Sequence, residues 1–141
     1  MKLKFKQLHP ESKLPSYGHP TDAGMDFFTL EEIRFHPGEQ KLIPTGLSMD
    51  LPAGYVALFW DKSSLASQKS LKSLGGVIDS GYTGELQVIL INLSKDIQII
   101  PKGAKFIQLL IQKIEYCEPE LVDEIIDGNR GENGFGSTGQ F

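Results

Sequence analysis

The chain has 141 residues, 40% of them hydrophobic and 23% charged, which fits one folded domain with a real core and excludes general disorder and a two-domain layout. Its net charge of -4 argues against a nucleic-acid binder working by broad electrostatics, so an anionic ligand has to meet local positive charge or a metal ion. The single cysteine, Cys117, can form no internal disulfide and reads as a small hydrophobe in a reducing compartment.

KLKFKQL (2–8) alternates as a strand does, and no long apolar run follows its lysines. No stretch reaches the length of a membrane span, so a cytoplasmic protein without membrane contact is expected. DAGMDF (22–27) sets Asp22 and Asp26 four residues apart around a small turn, and paired hard oxygen ligands suit Mg2+. His9, His19 and His36 stand in separate turn-like contexts without zinc spacing and read as surface loop.

FHPGEQ (35–40) and MDLPAGY (49–55) are reversals, and YVALFW (55–60) is a strand rich in aromatic and β-branched residues. In DKSSLAS (61–67) the hydroxyls of Ser63 and Ser64 follow Lys62. They read equally as a phosphate cradle and as an ordinary helix cap. The one helix expected is short, about Ser64 to Leu71.

GGVIDSGYTGEL (75–86) reads as a β-hairpin with its turn at Asp79–Gly84 and with Asp79 and Tyr82 at the tip. Taken alone, Asp79 is as easily explained as a turn initiator. LQVILINL (86–93), IQII (97–100) and KFIQLLIQKI (105–114) are further strands, the last preceded by the turn IPKGAK. The pattern is that of an all-β sandwich or barrel. Residues 128–139 hold five of the fifteen glycines and also Arg130, Phe135, Ser137 and Thr138, residue types suited to gripping an anion and a flat ring.

In their order these segments resemble the five motifs of the trimeric dUTPase family. LPSYGHPTDAGMDF is similar to the first motif, DKSSLA to the second, GGVIDSGYTGEL to the third, KGAKFIQLLI to the fourth and RGENGFGSTG to the fifth. The resemblance runs from about residue 14 to 139 and is most specific in the third and fifth motifs.

It implies a distorted jelly-roll (β-clip) fold over residues 1–127, a glycine-rich arm over 128–141 that closes over the active site, and a homotrimer whose sites are shared between subunits. It also implies hydrolysis of dUTP to dUMP and pyrophosphate, within pyrimidine deoxynucleotide metabolism and the exclusion of uracil from DNA. Asp79 resembles the carboxylate that activates the attacking water, and Tyr82 the ring beneath the deoxyribose. Asp26 resembles the acid that contacts Mg2+ through water. Lys62, Ser63, Ser64 and Gln108 match phosphate contacts, and Arg130, Phe135, Gly136, Ser137 and Thr138 match the closing arm.

Backbone groups of Gly76, Val77, Ile78 and Gln87 are placed to pair the edge of a uracil, and groups fixed in this way cannot turn to suit a cytosine. Lys62 and Lys105 stand where the family usually has arginine. Lysine keeps the charge without the planar fork, so Lys105 is left outside the expected site. Ser64 in place of the usual glycine resembles the related dCTP deaminases instead. Those carry a catalytic glutamate near the position of Ile89, and an isoleucine cannot move protons. A deaminase and a non-catalytic nucleotide-binding regulator are the alternatives.

Overall fold

A computed structural model describes residues 1–125. In chain order it runs β1 (Lys4–Gln7), β2 (Met25–Phe28), β3 (Ile33–Phe35), β4 (Gln40–Pro44), β5 (Leu47–Asp50), β6 (Tyr55–Asp61), α1 (Ser63–Lys69), β7 (Leu71–Leu74), β8 (Val77–Asp79), β9 (Gln87–Asn92), β10 (Gln98–Ile100) and β11 (Lys105–Lys113). Two sheets position the site. One has four strands in the order β2-β11-β6-β8, and the other has three in the order β4-β9-β7. The pairs β1-β5 and β3-β10 complete the fold, and every pairing is antiparallel. The expected strands at 55–60, 86–93, 97–100 and 105–114 are present, because short apolar runs rich in β-branched and aromatic residues between turn residues mark them.

The core is aromatic at its centre. Phe27 meets Phe59 edge-to-face at 5.3 Å between ring centroids. Around them Phe35, Phe106, Leu47, Leu86, Leu90, Ile107 and Leu109 are fully buried. Asn92, also buried, closes β9: its Nδ2 donates to the carbonyls of Asp96 (2.8 Å) and His36 (3.2 Å), and its Oδ1 accepts from Ser94 N. All three histidines are exposed, as their turn contexts indicate.

The structure corrects three expectations. The helix ends at Lys69, not Leu71, because Ser70 takes a left-handed conformation (φ 52°) and its N–H bonds back to Ala66 O, which frees Leu71 to enter β7 as a buried residue. Cys117 is exposed in the extended segment after β11, so it is not part of the core. Residues 75–86 are not a closed two-stranded hairpin. β8 pairs with β6 and β9 pairs with β4 and β7, so the two arms belong to different sheets. Leu86 forces the split: it is fully buried, its N–H bonds to Leu47 O, and its carbonyl takes the N–H and hydroxyl of Thr45.

Candidate active site

Where β8 and β9 part they leave a cavity of about 310 Å³, at the lower end of the range for small-molecule sites. Its lining includes Gly76, Val77, Ile78, Asp79, Tyr82 and Gln87, all expected site residues. The chain enters this wall through two glycines. Gly76 takes φ 106° and lies so close to β6 that a Cβ there would meet Phe59 O at 3.0 Å, so no larger residue fits without displacing the strand. β8 is the edge of its sheet. Backbone N–H and C=O groups on its outer side therefore remain available to a ligand in the cavity.

Among the described residues two carboxylates line this cavity, Asp79 and Glu85. Glu85 is committed to structure, because its Oε1 accepts from Gly46 N at 2.8 Å. Asp79 is exposed at the end of β8, and among the described residues its side chain has no hydrogen-bond or ion-pair partner. Tyr82 stands half-exposed over Gly84, its hydroxyl donating to Glu85 O at 3.0 Å, which fixes the ring at the cavity mouth. Ile89 lines the wall from β9 and presents only hydrocarbon.

A second group of expected residues lies on the other face of the four-stranded sheet. Phe59 and Trp60 are consecutive on β6, and successive side chains of a strand point to opposite faces. Phe59 lines the first cavity, whereas Trp60 lines a second one with Asp22, Asp26, Lys62 and Gln108. Asp26, Gln108 and Trp60 form a row across β2, β11 and β6, each directly opposite the next. Gly24 beside them is a requirement of packing, since a Cβ there would run into the Gln108 amide. Gln108 is itself held by donation from Nε2 to Asp61 O at 2.8 Å.

Asp26 is the electrostatic centre of this face. Its side chain is 4% exposed, and it takes Lys62 Nζ on Oδ1 and Lys105 Nζ on Oδ2 at 2.8 Å. Burial by itself would raise its pKa, but the ammonium groups of Lys105 and Lys62 outweigh burial and hold the carboxyl below the usual aspartate range. Lys105, left outside the expected site, thus pairs with one of the expected site residues. Strict alternation would put Lys105 and Gln108, three apart, on opposite faces. A bulge between Lys105 and Ile107 shifts the register and brings both to the Asp26 side. No sequence signal marks that bulge beyond two successive apolar residues, Phe106 and Ile107.

Asp61, which precedes Lys62, is also held by donors on both carboxylate oxygens. Its Oδ1 accepts from Ser73 N at 2.7 Å and its carboxylate pairs with Lys72 at 2.7 Å. Burial would raise its pKa, but the Lys72 and Ser73 donors prevail and lower it. Ser63 and Ser64 open α1 directly after Lys62, exposed and outside both cavities. Arg130, Phe135, Gly136, Ser137 and Thr138 lie outside the described residues.

The donor set bears on Mg2+. No group of three or more His, Cys, Asp or Glu side chains able to cage a metal occurs among the described residues. Both Asp26 oxygens are ion-paired, yet each keeps a second lone pair, so Asp26 fits the role of acceptor for metal-bound water and not that of direct ligand.

The dUTPase family profile matches residues 10–139. The chain belongs to the dUTPase family. It is 42% identical over 141 residues to a deoxyuridine 5'-triphosphate nucleotidohydrolase of Clostridium kluyveri, covering 99% of both chains. In three dimensions it is similar to a mutant Staphylococcus bacteriophage 80alpha dUTPase with dUpNHpp, at TM-score 0.91 and 30% identity over 98% of each chain. It is also similar to a mutant dUTPase of the S. aureus phage phi11 whose structure is described as revealing the coordination of a structural Mg(II) ion, at TM-score 0.83 and 27% identity, covering 90% of this chain and 100% of that one. The all-β dUTPase architecture implied by the five motifs is therefore the architecture of this chain. No helix among the described residues is long and apolar enough to cross a membrane.

Proposed function

We propose that this chain hydrolyses dUTP to dUMP and pyrophosphate, and thereby keeps uracil out of DNA within cytoplasmic pyrimidine deoxynucleotide metabolism. The observation that carries the reading is the nucleoside-sized cavity bounded by the free edge of β8, with Asp79 and Tyr82 at its mouth. The backbone of Gly76, Val77, Ile78 and Gln87 pairs the uracil edge. Tyr82 packs beneath the deoxyribose and rejects a 2'-hydroxyl by contact. Asp79 holds a water and takes its proton as the water attacks the α-phosphate in line.

Lys62, Ser63, Ser64 and Gln108 receive the phosphates from another chain of a homotrimer. The shared site is supported by the geometry of one chain, whose base cavity and phosphate face lie on opposite sides of a single sheet. On that face Lys62 and Lys105 both pair with Asp26, and Asp22 adds a further negative charge, so little positive charge is left over for a triphosphate. This supports a requirement for Mg2+, whose waters Asp26 accepts. The bound ion supplies charge neutralisation across the phosphates. Residues 128–141 close the site as a separate arm on the β domain of residues 1–127, with Arg130, Ser137 and Thr138 on the phosphates, Phe135 over the uracil, and Gly136 allowing close backbone approach.

Neither alternative draws support from the cavity. The deaminase lacks its glutamate at Ile89, and an idle binder has no use for an aspartate at the mouth that is unpaired among the described residues. Incubation with dUTP, dCTP and UTP, with and without EDTA, tests the reading. Pyrophosphate from dUTP alone, abolished by EDTA, is expected. Ammonia from dCTP, or no product from any of the three, contradicts it.

A further inference from the structure

The segment between Asp61 and Leu71 carries Lys62, Ser63 and Ser64, yet little holds it in place. Helix α1 has no buried residue, Leu65 packs only partly against the core, and the cap residue Lys62 makes no side-chain capping bond. A helix of seven residues is not stable by itself, so its position depends on its anchors. One anchor is the ion pair of Lys62 with Asp26. A triphosphate that recruits Lys62 competes for that bond. At the far end Leu93 N donates to Ser70 O (3.0 Å), and at the near end the anchor is Asp61, which closes the loop at its base on three sides. Oδ1 accepts from Ser73 N (2.7 Å), Oδ2 pairs with Lys72 Nζ (2.7 Å), and the backbone carbonyl accepts from Gln108 Nε2 (2.8 Å).

β7 does not depend on this clasp. Its register with β9, from Leu71↔Asn92 to Leu74↔Ile89, holds it in the three-stranded sheet, and the cavity wall that begins at Ser73 is held with it. What the clasp ties down is the near end of the loop, where Lys62, Ser63 and Ser64 follow Asp61 directly.

We propose that Asp61 is a positioning residue for dUTP hydrolysis: its carboxylate, bound to Ser73 N and Lys72, holds the loop so that Lys62, Ser63 and Ser64 stay aligned on the triphosphate after Lys62 has left Asp26. The inference rests on the hydrolase reading. It predicts an effect on the phosphate end of the substrate and none on the base end.

The test compares wild type, Asp61→Ala and Asp61→Asn in steady-state dUTP hydrolysis and in competitive inhibition by deoxyuridine, which has base and sugar but no phosphate. A small misplacement of a phosphate-aligning loop acts mainly on kcat, so Asp61→Ala is expected to lose about 10- to 100-fold in kcat with a smaller change in KM. Deoxyuridine inhibition stays within about twofold of wild type, because Ser73, the clasp partner that also lines the cavity, is held there by the β7–β9 register. Asp61→Asn keeps an acceptor for Ser73 N but loses the charge opposite Lys72, and it falls between the two, about threefold below wild type in kcat. That variant decides alone if the alanine protein does not fold. Active wild type with Asp61→Ala or Asp61→Asn at full kcat overturns the clasp, as does a loss shared equally by dUTP and deoxyuridine. Wild type that leaves dUTP intact overturns the hydrolase reading and the clasp with it.

Discussion

At the residue scale, Asp79 and Asp26 differ sharply in their surroundings, and the roles proposed for them follow that difference. Asp79 is exposed at the mouth of the β8–β9 cavity without a partner among the described residues, the state a water-activating base needs. Asp79→Asn should lower turnover about 10²- to 10⁴-fold, the usual contribution of a general base, while a non-hydrolysable dUTP analogue still binds within a few-fold by calorimetry. Asp26 is the opposite case, buried and paired to two lysines. Removing its charge by Asp26→Asn should cost about 1–3 kcal/mol, read as a shift in denaturant midpoint. The pH dependence follows from its lowered pKa. Unfolding lets Asp26 bind a proton more readily, so its contribution is fully present above the ordinary aspartate range and is lost as pH falls through the lower folded value. The stability gap between wild type and Asp26→Asn should therefore be constant near neutrality and close in acid. A gap that widens in acid would show the sign to be wrong.

At the element scale, alternation made β1 legible, and apolar runs rich in β-branched and aromatic residues between turns made β6, β9, β10 and β11 legible. Two features of the site were not legible because each breaks that pattern. The bulge at the start of β11 places Lys105 beside Asp26, and an argument about arginine against lysine could not see that Lys105 serves a carboxylate. The segment 75–86 has the residues of a hairpin, but burial of Leu86 separates its arms, and the cavity exists only because they part. The paired glycines before β8 are where this arrangement is most exposed to change. Gly76→Ala sets a side chain at φ 106° against Phe59 O, with a strain of about 1–3 kcal/mol. Thermal unfolding should shift down accordingly, and KM for dUTP should rise as β8 moves off its line. An unchanged KM in a folded variant would argue that the edge of β8 does not read the base.

At the scale of the whole molecule, one chain displays the two halves of the proposed site on opposite faces of its four-stranded sheet, and the proposed site is therefore built from more than one chain. The family motifs announced both halves from the sequence. Their separation was not readable there, because it depends on which of two neighbouring residues, Phe59 or Trp60, points inward. The account thus stands or falls on sites built between chains, which is also why the proposed homotrimer matters to the chemistry. The most direct measurement is pyrophosphate release from dUTP by two variants, Asp79→Asn and Lys62→Ala, each assayed alone and after co-refolding in equal amounts. Each variant alone should be crippled. In random mixed assemblies a site needs an intact Asp79 from one chain and an intact Lys62 from its neighbour, so about a quarter of the wild-type activity should return. A mixture no more active than the average of its two components would show that each site lies within one chain, and would contradict the account.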